Sequence, residues 1–90
     1  MNDLDRATEV LQALMLARRA PPQEALSILN GLVGLLRADH DDQRLELEEA
    51  RSGAFLAICE IGKSLHRGQP ADHLWETAIR TTERWIALAG

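Results

Sequence analysis

Apolar positions recur along this chain at three- and four-residue intervals, the spacing that lines side chains along one face of an α-helix. Leu4, Ala7, Leu11, Leu14, Met15 and Arg18 follow that rhythm, and Val10 and Ala17 widen the stripe. Asp3 stands where an N-cap is needed, and Arg18 and Arg19 suit the negative end of the helix dipole. Pro21 with Pro22 stops the run, because the residue before a proline is pushed out of the α region. The pattern predicts a first helix over residues 4–19.

Pro22 suits the first turn of the next helix, where its missing N–H costs nothing, and the pattern continues to residue 38. Between Ala25 and Leu36 only Ser27 and Asn30 are polar; Gly31 and Gly34 interrupt an otherwise apolar segment. A helix apolar almost all round belongs between partners rather than on a surface. Its two glycines cost roughly 1 kcal/mol each relative to Ala, which is recovered if a neighbouring backbone approaches closely.

Residues 38–42 read as a connector in which Asp39 or Asp41 caps a third helix over 42–67. No Gly or Pro breaks the chain there, so one continuous helix of about 70 Å over residues 22–67 is the alternative. Leu47, Ala50, Ala54, Ile58, Ile61 and Leu65 form the stripe of the third helix, flanked by Phe55, Cys59 and Gly62. Gly68 ends it, and Pro70 is expected to open a fourth helix over 70–89. The fourth carries two adjoining stripes, one through Trp75, Ile79 and Ile86, the other through Leu74, Ala78, Trp85 and Leu88. Two helical hairpins with short joins make an all-α, antiparallel four-helix bundle.

Composition agrees. Of 90 residues 15 are Leu and 13 Ala, against seven β-branched Val and Ile, which is helix-forming usage in a chain short enough for one domain, residues 1–90. No apolar run nears the ~18 residues of a membrane span. A domain of this size buries about 65% of its unfolded surface. Three helices carry apolar arcs wider than one seam needs, so a homodimer is expected. For its interface the sequence offers Gly31, Leu32, Gly34 and Leu35, with Ile28 left unassigned.

Charge adds a direction. The net charge is −4, and six acids lie between Asp39 and Glu49 with Arg44 as the one base among them. Asp39, Asp41, Asp42, Glu46 and Glu49 therefore read as a patch selecting a partner with a basic surface. Trp75 and Trp85, about 80° apart on a helix, are further partner-contact candidates, with both in the core as the competing reading. An acidic chain gains little from a polyphosphate backbone, so DNA binding through Arg80 and Arg84 is the weakest reading.

No chemistry-bearing motif stands out. Cys59 is the sole cysteine, and the polar start from Met1 to Arg6 is unlike a secretory signal; both suit the cytoplasm. Cys59, His66 and His73 share a region but lack the tight spacing of zinc ligands, and residues 39–42 lack the glycine and terminal glutamate of a calcium loop. Glu60 with His66 is the best acid–base pair for a small helical enzyme or ligand-binding bundle, with the pair near a dimer cavity. The leading expectation is a non-catalytic protein–protein interaction module, an adaptor, regulator or inhibitor that needs no cofactor or metal and docks through apolar helix faces.

Overall fold

The computed structural model describes residues 2–37 and 44–90. Four helices make up the described chain: α1 (Asp3–Arg18), α2 (Pro22–Arg37), α3 (Leu45–His66) and α4 (Asp72–Ala89), and no strand occurs among these residues. Each helix packs on its neighbours in sequence, and α4 closes the ring by packing on α1. The described residues span 37 × 20 × 17 Å. A continuous helix of about 70 Å does not fit those dimensions, and α2 and α3 are separate helices in contact.

Local chemistry sets the helix ends. Asn2, not Asp3, caps α1: its side-chain oxygen accepts from the Asp5 backbone N–H at 2.8 Å, and Asp3 is the first helical residue. Pro22 opens α2 as its missing N–H allows, and the Ala25 N–H donates to the Pro21 carbonyl at 2.9 Å. Arg44 occupies the cap position of α3 without a side-chain capping bond, and Asp39 and Asp41, the expected caps, lie outside the described residues. Gly68 takes φ +65°, and the N–H groups of Gly68 and Gln69 donate to Leu65 and Ser64. That paired closure is the Schellman motif, which needs a left-handed residue where glycine pays no steric penalty. The closure occupies Gln69, so α4 starts at Asp72 behind Ala71 rather than at Pro70.

The core is built from the predicted stripes. Ala7, Val10, Leu14 and Ala17 of α1 meet Leu29, Leu32 and Leu36 of α2, Leu47, Ile58 and Ile61 of α3, and both tryptophans of α4. Three expectations change. The first concerns α2, which is not a central helix: only Ala25, Leu29, Leu32 and Leu36 are buried, and it touches α1 and α3 alone. Gly31 and Gly34 are exposed, and a Cβ on either would meet nothing within 4 Å. The close approach lies instead at Gly53, where a Cβ would stand 2.9 Å from Thr81 Cγ2 in the α3–α4 seam. Second, Leu32, expected at a dimer interface, is 4% exposed and belongs to the chain's own core. Third, Trp75 and Trp85 are 5% and 0% exposed; both plug the core, and a partner could reach neither without opening the bundle.

Candidate functional site

Two features stand out, one inside the bundle and one on its surface. Inside, Asp3 and Arg51 are both nearly excluded from water, with the Arg51 Nη1 2.5 Å from Asp3 Oδ2. The Trp85 indole N–H donates to the same carboxylate oxygen at 3.1 Å. Asp3 shares the helical phase of Ala7, Val10 and Leu14, and Arg51 that of Leu47, Ala54 and Ile58, so both helices carry a charge on their buried faces. The two helices stand diagonally across the ring, where only side chains meet, and the ion pair crosses between them. An indole, a guanidinium and a carboxylate from α4, α3 and α1 thus satisfy one another where water is excluded. Sequence reasoning missed this cluster. Its signal was a charged residue in phase with each apolar stripe, which a reading of Asp3 as a cap concealed.

On the surface, a groove of about 570 Å³ runs between the end of α2 and the first half of α3. Leu36, Phe55 and Leu56 give it an apolar floor, and Arg37, Glu48 and Ser52 line it. The Arg37 guanidinium lies over the Phe55 ring at 5.8 Å from its centre, a cation–π contact that holds the aromatic ring at the groove. Arg51 also borders the groove, so the guanidinium that holds Asp3 inside forms part of its wall. Leu56 is 63% exposed and Leu45 68%, both on the outside of α3; Leu16 on α1 is 65% exposed. These are large apolar side chains that the fold leaves in water.

The sequence-predicted residues scatter relative to these features. Glu46 and Glu49 are exposed in the first turns of α3; Asp39, Asp41 and Asp42 fall outside the described residues. Glu46 lies 3.4 Å from Arg44, whose other terminal nitrogen donates to the Leu88 carbonyl of α4 at 3.3 Å. Gly31 and Gly34 are exposed and Leu35 is half-buried on α2. Glu60 pairs with Lys63 at 3.3 Å in solvent, whereas His66 borders a shallow depression of about 210 Å³ beside Cys59 and Asn30 that Glu60 does not line. The acid–base pair of the enzyme reading is therefore not brought together. Arg80 and Arg84 are exposed on α4. Among the described residues no group of three or more His, Cys, Asp or Glu side chains could hold a metal ion, and no helix is long and apolar enough to cross a membrane.

Compared with protein families, with curated proteins and with solved structures, the chain matches none.

Proposed function

We propose that this chain is a small protein–protein interaction module: one helical domain, an antiparallel bundle of two hairpins, that acts without catalysis and works as a homodimer. The antiparallel arrangement is supported by which ends meet. Trp85 and Gly90 of α4 adjoin the start of α1, whereas Ile79 shares a depression with Met15 and Arg18 near its end. Likewise Arg37 sits over Phe55, and Leu26 neighbours His66.

The observation that carries the functional reading is the α2–α3 groove. It joins an apolar floor to charged walls beside an exposed leucine, the combination of apolar core and polar rim that protein docking surfaces use. Glu48 on its wall, with Glu46 and Glu49 on the adjoining turn and Asp39, Asp41 and Asp42 close in sequence, favours a partner that presents basic side chains around an apolar anchor. Such charges chiefly raise association rate and set orientation, while the anchor supplies affinity.

A photo-crosslinking residue in place of Arg37, with one in place of Thr77 on exposed α4 as control, tests the reading in native cells. A discrete partner adduct specific to position 37 is expected. Once purified, that partner should bind less tightly as salt is raised, and less tightly to the Glu48→Lys variant. Adducts common to both positions, or binding indifferent to salt and to Glu48→Lys, would refute it.

A further inference from the structure

The outer face of α3 carries an order that the bundle itself does not use. Leu45, Glu49, Ser52, Leu56, Cys59, Lys63 and His66 follow one another at alternating four- and three-residue steps, the spacing of a helix–helix seam. All but Cys59, which is half-buried, are exposed, while the opposite face of the helix fills the core. Charge is segregated along this face. Glu46, Glu48 and Glu49 stand in its first turns and Lys63, His66 and Arg67 at its end, with Leu56, 63% exposed, at the midpoint between Leu45 and Arg67.

We propose that this face pairs with itself: two copies of the chain dock through α3 in antiparallel register centred on Leu56. The inference rests on the reading of the chain as a self-associating module and names the surface that does it. About a two-fold axis at Leu56, each residue meets the one equally far beyond that position in the partner. The two Leu56 side chains then cover each other, Glu49 meets Lys63 of the partner, and Leu45 meets the aliphatic stem of Arg67. Each charged contact occurs twice, as an isologous interface requires. Glu60 falls opposite the neutral Ser52, and Glu48 points away into the groove. The intrachain contact of Lys63 with Glu60, 3.3 Å between exposed groups, leaves the ammonium able to serve a second carboxylate. A parallel pairing would set Glu49 on Glu49 and Lys63 on Lys63, so the charge order itself selects the antiparallel one. Ser52 and Leu56 belong both to this face and to the groove, so the pair covers the groove's α3 edge, while Leu36, Arg37 and Phe55 stay outside the pairing stripe.

Light scattering on eluting protein tests the register. The wild type is expected at about 20 kDa, twice the 10.0 kDa chain. Glu49→Lys alone or Lys63→Glu alone sets like charges opposite each other at two symmetric places and should raise the dimer Kd by about tenfold or more. The double variant, and an equimolar mixture of the two single variants, should recover the wild-type dimer. Both positions are exposed, and unchanged melting curves in circular dichroism will confirm intact bundles. A wild type at 10 kDa at micromolar concentration, or a dimer indifferent to the single swaps, overturns the inference. A monomer that still crosslinks a partner at position 37 sinks this proposal and the homodimer with it, and leaves the docking reading standing. An intact, swap-sensitive dimer without such a partner sinks the docking reading alone.

Discussion

Removing the Asp3 carboxylate is the sharpest test of the internal architecture. In Asp3→Ala the Arg51 guanidinium, its side chain 7% exposed, loses the carboxylate it is paired with. The Trp85 indole N–H, on a fully buried residue, loses its acceptor in the same step. Breaking a buried ion pair by deleting one partner costs about 3–5 kcal/mol, and the lost indole hydrogen bond falls within the same local penalty. A total of about 3–4 kcal/mol corresponds to a fall in melting temperature of roughly 12–30 °C for a chain of this size. The reverse variant, Arg51→Met, should cost less. Asp3 is the first residue of α1, and the first turn can fray to hydrate its carboxylate, so the loss is limited to the free energy of that local opening. In the pair variant Asp3→Asn with Arg51→Met, both charges are gone and an acceptor for Trp85 remains, so stability should return to within about 1 kcal/mol of wild type. Urea unfolding of the four proteins, followed by circular dichroism, gives the stabilities to be compared. An Asp3→Ala cost under about 1 kcal/mol, or a cost for Arg51→Met exceeding that of Asp3→Ala, would refute the reasoning.

Other substitutions probe individual positions by denaturant or thermal unfolding. Gly31→Ala and Gly34→Ala should each stabilise by about 0.5–1 kcal/mol, since both sites are exposed helix interior with nothing near the new methyl. Gly53→Ala should instead destabilise by about 1–3 kcal/mol, because the methyl meets Thr81 Cγ2 inside a packed seam; a gain there would mean that α3 and α4 separate readily. Gly68→Ala forces a Cβ into the left-handed region at the end of α3, and a loss of about 1 kcal/mol is expected, absent if the turn re-forms with negative φ. Asn2→Ala should cost about 1 kcal/mol by removing the bond to the Asp5 N–H, while Asn2→Asp should be nearly neutral.

Where sequence reasoning succeeded, the cause is local. Stripes such as Leu47, Ala50, Ala54, Ile58 and Ile61 repeat at the helical period, and a residue's phase on its own helix needs no knowledge of its neighbours. Pro22 and Gly68 act through their own φ preferences, so one start and one stop could be read directly. Other boundaries slipped for equally local reasons. Asn2 competed with Asp3 for the cap, and the two-residue closure after Gly68 displaced the start of α4 beyond Pro70. The groove was half legible: Phe55 and Leu36 were placed on apolar faces, but nothing along the chain says that Arg37 lies over Phe55.

The sequence by itself determined that this chain is helical and where the apolar stripes of α1 and α3 run, because those properties follow from intervals of three and four residues and from a few backbone preferences. Only the tertiary structure decided which oily sides are covered. It enclosed both tryptophans, exposed Gly31, Gly34 and Leu56, and brought Asp3, Arg51 and Trp85 together across separations of 48 and 82 residues. The physical reason is one of range. Helix periodicity is written in neighbouring residues, whereas burial and ion pairing depend on which surfaces meet, and many arrangements of four similar stripes satisfy the same local code.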